Sequence, residues 1–365
     1  MLPSLRFLRH YLRPSATAVA SHETSYRRGA DELAATVYRP AHARRPLPGW
    51  VVLHGLAFTG RHHPSLVPFV RAVAGAGNIV LVPDIPEWRA LRVAPAVTVE
   101  TIRSAVRALQ ARDDVLHEHA GLFGFSFGAT QAIIAAGETD MPDLLHGIAA
   151  WGGYSDVYRL FDFAMTGEHE LDGRRYRVPP DPYGAWVMTG NYLTAMPGYE
   201  DAAAVARALH ELALDAGRQG VFAWDPVYDA SKDALRAGLD GSERELFDLI
   251  APVSTAPPQD VEEKRRLARL LADAVLRVDP LIDPSPFLPH LRVPTLFAHG
   301  RDDRLIPFTE TLRLCRAVPA GVVRGCTITS LFAHSGGTRT ELGVFGKVRE
   351  GARFVGLLQR TLKLV

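Results

Sequence analysis

The sequence predicts an α/β protein with a mostly parallel central sheet, helices on both faces and a helical insertion. Three observations predict it. Short apolar runs without alternation, at 50–53, 79–82, 121–125 and 145–151, read as strands covered on both faces. Segments of helical period lie between them, at 64–76, 98–111 and 127–136. This alternation stops after residue 153, and strand signals return only at 295–298 and 327–332.

Taken in order, 23–28 and 34–39 read as an opening hairpin around the turn at 29–31. The helix at 64–76 ends at Gly77, a suitable C-cap. In 98–111, Val99, Ile102, Val106 and Leu109 share one face. The helix at 127–136 is built of small residues and can pack closely on the sheet. Residues 154–289 carry helical period, clearest at 202–216 and 261–278, with breaks at Pro179-Pro180-Asp181-Pro182 and Ala256-Pro257-Pro258. A closing helix is expected at 341–362. The division expected is an α/β core of 21–153 and 290–365, a helical cap insertion of 154–289 and an N-terminal amphipathic segment of 1–20.

In that first segment Leu2, Leu5, Leu8 and Leu12 fall on one helical face, while Arg6, Arg9 and Arg13 lie largely off it. The arginines interrupt any signal-peptide apolar run. A short helix docked on the body is expected, with contact to a membrane surface as the alternative. No other stretch is apolar for a spanning length.

Composition narrows the function. With 47% hydrophobic and 22% charged residues the chain is that of a globular protein, and a net charge of +1 supplies no field to gather nucleic acid. Two cysteines, Cys315 and Cys326, exclude a framework of disulfides and make a reducing cytoplasm the expectation. No CxxC or HExxH spacing suggests a metal, and no cofactor is expected. Nothing fixes an oligomeric state.

Gly124-Phe125-Ser126-Phe127-Gly128 is a GxSxG segment. It begins at the end of an apolar strand and opens into a helix, the strand–turn–helix context that the motif requires. So tight a turn needs small residues two before and two after the serine. It lifts the hydroxyl above the strand ends and places the Phe127 amide at a helix N-terminus, where it can hold a developing oxyanion. A serine hydroxyl is a weak nucleophile alone, so a histidine and an orienting carboxylate are required.

At these residues the chain resembles the α/β-hydrolase superfamily, over the core segments and not over the insertion. His54-Gly55 follows the first buried strand as the family's oxyanion loop does, and Gly124–Gly128 matches its elbow. His299-Gly300-Arg301-Asp302-Asp303-Arg304-Leu305-Ile306-Pro307 looks like its HGxxDxxxP segment, and His334 follows the last predicted strand. Aligning the glycine and proline implies Asp303 as the acid, with Asp302 as the alternative. His334 is implied as the base, although Ala333 stands where the family often has glycine. It is the one histidine after the acid.

By the same resemblance His54 holds the oxyanion loop, and Leu56, or failing it Ala57, supplies the second amide beside Phe127. His62, His63, His117 and His119 read as loop histidines, and Asp84 as a loop-shaping residue. The resemblance implies hydrolysis of a small-molecule ester or acyl substrate through an acyl-enzyme on Ser126. Alternatives are an acyltransferase, a peptidase using Glu168, Glu170 or Arg174, Arg175 and Arg177 for a charged terminus, and a non-catalytic binding protein. Tyr154, Tyr158, Phe161, Phe163, Tyr183, Trp186 and Tyr192 either line an acyl pocket or form the insertion's own core. Tyr158, Tyr183 and Trp186 are the substrate-binding candidates.

Overall fold

Trp50, Val51, Val52 and Leu53 are all fully buried, which a strand achieves only with a layer on each of its faces. In the computed structural model, which describes residues 2–15, 17–138, 140–332 and 343–365, these layers are helical. The first half runs α1 (Pro3–Leu12), β1 (Val19–Arg28), β2 (Asp31–Pro40), β3 (Leu47–Leu53), α2 (Leu66–Gly75), β4 (Ile79–Pro83), α3 (Pro86–Arg89), α4 (Pro95–Gln110), β5 (Val115–Phe125), α5 (Phe127–Gly137) and β6 (Gly147–Trp151). There follow α6 (Val157–Thr166), β7 (Glu168–Leu171), β8 (Arg174–Arg177), α7 (Pro182–Tyr192), α8 (Ala203–Gln219), α9 (Asp229–Ala237), α10 (Gly241–Ile250) and α11 (Val261–Val278). The chain closes with β9 (Thr295–Gly300), α12 (Phe308–Ala317), β10 (Val323–Thr329) and α13 (Val344–Thr361).

Eight strands form one sheet in the order β1-β2-β4-β3-β5-β6-β9-β10. β2 is antiparallel to both β1 and β4, and every pairing from β4 to β10 is parallel. Alternate strand residues divide between two cores. Trp50, Val52 and Phe123 face α1, α2 and α13, whereas Val51, Leu53 and Leu122 face α4 and α5. β6 and β9 are neighbours in the sheet, so everything from α6 to α11 is inserted between two adjacent strands. No helix among the described residues is long and apolar enough to cross a membrane.

α1 docks on the body, through Ser4 and Phe7: Ser4 donates to Gln359 Oε1 and Phe7 packs edge-on against Phe69. Of the leucine stripe, Leu8 packs partly against the same core as Phe7, while Leu2, Leu5 and Leu12 are 54%, 45% and 72% exposed. The structure corrects three expectations. β5 begins at Val115, so His119 lies in a strand and stacks on His146, not in a loop. The insertion holds the β7–β8 hairpin, whose turn residues Asp172 and Gly173 both have positive φ. That Asp-Gly pair is the hairpin signal of its sequence, hidden among charges that read as helix surface. Finally, Cys315 and Cys326 are paired as a disulfide tying α12 to β10. The argument for a reducing compartment thereby loses its premise.

Candidate active site

β5 delivers Ser126 to the sheet's C-terminal edge, and the helix begins at the next residue. Ser126 holds φ 57° and ψ −129°, a left-handed backbone that a non-glycine residue keeps only when its surroundings impose it. They do so by leaving no room. A Cβ on Gly124 would lie 2.3 Å from Gly128 O, and one on Gly128 would lie 2.4 Å from His54 O. A Cβ on Gly55 would lie 3.2 Å from Ser126 Cβ and 3.5 Å from its Oγ. The loop after β3 is thus laid directly against the serine.

Two amides border that contact. Phe127 N–H is at the first position of α5, where a helix provides no acceptor. Leu56 N–H follows Gly55, and among the described residues neither amide is bound to a backbone carbonyl. His54, which is 2% exposed, donates from Nδ1 to Gly55 O over 2.6 Å. Burial pushes its pKa down to about 4, so the imidazole is neutral and acts as a brace. Trp88 supports both sides: its indole meets His54 and Phe127 edge-on, each at 5.3 Å, and donates to Thr98 Oγ1. Asp84, at the end of β4, pairs with Arg61 and Arg89, which flank the same loop.

The loop carrying the expected acid lies beyond β9. Asp303 is 2% exposed, and its Oδ1 accepts from Leu305 N and Ile306 N at 2.9 and 3.1 Å. Its Oδ2 lies 3.5 Å from His299 Nε2. His299 is itself fixed, with Nε2 donating to Ile306 O and Nδ1 against the Thr311 hydroxyl. Asp302, by contrast, is half-buried. The expected base, His334, lies outside the described residues.

No family model and no curated protein matches the chain. Among solved structures it is similar to the uncomplexed acylaminoacyl peptidase of Pyrococcus horikoshii, at 14% identity and a TM-score of 0.50, over 97% of this chain and 44% of that one. It is similar also to brefeldin A esterase, a bacterial homologue of human hormone-sensitive lipase, at 18% identity and a TM-score of 0.49, over 96% and 77% of the two chains. The esterase domain of a Rhodothermus marinus protein matches at 14% identity and a TM-score of 0.45, over 94% and 98%. This is the α/β-hydrolase fold.

In an α/β-hydrolase fold the loops at the strands' C-terminal ends carry the site, and the insertion reaches them here at particular points. Of its three substrate-binding candidates the structure brings one to the site. Tyr183 donates its hydroxyl to Leu56 O at 3.1 Å, and burial raises its pKa. Trp186 is fully buried within the insertion, edge-on to Tyr228 and with the Lys232 ammonium over its ring. Tyr158 is 44% exposed and donates to Asp273 on α11. Tyr154 and Tyr192 are buried and donate to Ile282 O and to Asp279. Phe58, in the loop after β3, abuts Gly217 and Arg218 at the end of α8. A groove of about 760 Å³ lined by Arg27, Glu100, Arg103 and Arg107 contains none of the predicted site residues.

Sequence reading missed Asp181. It took Pro179-Pro180-Asp181-Pro182 as a break, but Asp181 caps α7 by accepting from Tyr183 N, with Pro182 at the first helical position. An Asp-Pro pair ahead of a helical run carries that signal.

Proposed function

We propose that this protein is a serine hydrolase that cleaves carboxylic esters through an acyl-enzyme on Ser126. The observation that carries the reading is the elbow: a serine held at φ 57° between β5 and α5, with the Gly55–Leu56 backbone against it. Ser126 Oγ attacks the carbonyl carbon while His334 takes the hydroxyl proton. The oxyanion so formed is held by the Phe127 and Leu56 amides, whose dipoles are already in place before charge develops. Collapse expels the alcohol, which receives the proton from His334, and water then releases the acyl group by the same steps in reverse. Asp303, buried and anchored by two amides, suits the orienting acid better than half-buried Asp302. The insertion, residues 154–289, acts as a cap over the strand ends, which its contacts with Leu56, Phe58 and Arg304 support.

The experiment is fluorophosphonate labelling with the site mapped by mass spectrometry, alongside hydrolysis of p-nitrophenyl esters of increasing chain length. Ser126 is expected to carry the adduct, and Ser126→Ala to lose both labelling and hydrolysis while keeping the wild-type melting temperature. An adduct on another serine in that variant would refute the assignment.

A further inference from the structure

The loop bearing the Leu56 amide has two peptide planes to orient, one on either side of Leu56, and the structure braces each from a different side. In a trans peptide the N–H points opposite to the C=O, so fixing a carbonyl aims the amide of the next residue. His54 holds Gly55 O and thereby aims the Leu56 N–H. Tyr183 holds Leu56 O and thereby aims the Ala57 N–H. The first brace belongs to the core, whereas the second comes from the insertion.

The segment that supplies Tyr183 is tied to the acid loop as well. Asp181 N donates to Arg304 O at 2.7 Å, and Arg304 Nε donates to Pro179 O at 2.7 Å. The Arg304 guanidinium lies 3.8 Å from the centre of the Trp224 ring. Gly184 leaves room for Leu305, since a Cβ there would sit 3.1 Å from Leu305 Cδ1. Residues 179–184 therefore bridge the loop after β3 and the loop after β9, one residue away from Asp303.

We infer that Tyr183 is a positioning residue that fixes the Leu56–Ala57 peptide and through it the residue whose own N–H, Leu56 N–H, serves the oxyanion hole, and that residues 179–184 form a strut registering this hole against the acid loop. Its catalytic meaning rests on the serine-hydrolase reading above. The ring is half-buried against the core and the hydroxyl has one visible task, so Tyr183→Phe removes the brace while keeping the packing. An oxyanion donor removed outright costs on the order of 10²–10³ in kcat, and one left in place but loosely aimed costs less. Tyr183→Phe is expected to lower kcat by roughly 10–100-fold with KM changed less than about twofold. Affinity for a trifluoromethyl ketone, which forms the tetrahedral adduct, should fall in proportion, with an unchanged melting temperature.

The structural part has its own measurement. Hydrogen exchange of peptides covering 54–60 should quicken in Tyr183→Phe, while peptides covering 120–130 stay as in the wild type. Unchanged exchange at 54–60 would overturn the inference, as would a kcat loss without loss of ketone affinity. Absence of a Ser126 adduct in the wild-type protein would instead sink the serine-hydrolase reading. The exchange result would then decide the brace by itself.

Discussion

At the elbow, order comes from lack of room: Gly124, Gly128 and Gly55 stand where backbone or serine atoms would meet any side chain. In the insertion, order comes from ordinary burial, with Trp186, Phe247 and Leu271 enclosed, and from a few polar contacts to the core, such as Tyr183 to Leu56 O. Steric exclusion between backbones has no cheap relaxation, because two main chains have to separate. A side-chain core can repack and a single hydrogen bond can be lost. The elbow is therefore expected to tolerate almost no change, and the insertion to tolerate graded change in which stability and activity part company.

The loop carrying the proposed acid, after β9, tests the core end of this contrast most severely. Asp303→Asn keeps the shape of the side chain but is expected to lower kcat by roughly 10³–10⁴-fold, since an amide stabilises the wrong histidine tautomer. Asp302→Asn, at a half-buried position, is expected to cost less than about tenfold. Steady-state kinetics on one ester decides it. A reversed order would place the acid one residue earlier than the Gly300 and Pro307 alignment does.

A pair of variants then compares the two regions directly. Gly128→Ala drives a methyl group onto His54 O, so α5 and β3 must move apart, and a loss of roughly 3 kcal/mol or more is expected together with loss of hydrolysis. Trp186→Ala empties a fully buried site in the insertion and is expected to cost about 3–5 kcal/mol. Its ester chain-length profile, corrected for the folded fraction, should match the wild type, since no face of the indole is open to a substrate. A changed profile in Trp186→Ala would mean that the insertion's core and the acyl pocket are continuous.

The same contrast explains what could be read from the sequence. The strands at 50–53, 79–82 and 121–125 were legible because burial on both faces leaves a continuous apolar run. The elbow was legible because so tight a turn after an apolar strand demands small residues two before and two after the serine, a pattern contained in five consecutive residues. Tyr183 and Trp186 were indistinguishable as sequence: both are insertion aromatics, and only tertiary placement sends one to Leu56 O and the other into a core. The α1 period showed a helix but not its docking face, because period alone does not say which face a neighbour wants, and Phe7 found Phe69. The Cys315–Cys326 bridge was missed since a count of two says nothing of whether β10 brings them together.

The smallest expected effect concerns the core brace, His54, and reads its burial through pH. Its folded pKa is about 4 against an ordinary 6.5, lowered chiefly by burial. Between those values the unfolded chain binds a proton that the folded chain refuses, so stability rises with pH across this window. The contribution is fully present above the ordinary value and is lost as pH falls from about 6.5 towards 4. Going from pH 7 to pH 5 is expected to cost about 2 kcal/mol from this group, at roughly 1.4 kcal/mol per pH unit in the steepest part. Urea titrations at the two pH values measure it, and His54→Asn supplies the control because it cannot titrate. That variant should be less stable at pH 7, having lost the ring packed against Trp88, yet should lose about 2 kcal/mol less than the wild type on acidification. An equal loss in both proteins would assign the acid sensitivity elsewhere, with His169, also held near 4 by burial against Tyr176 and Phe308, the next group to replace.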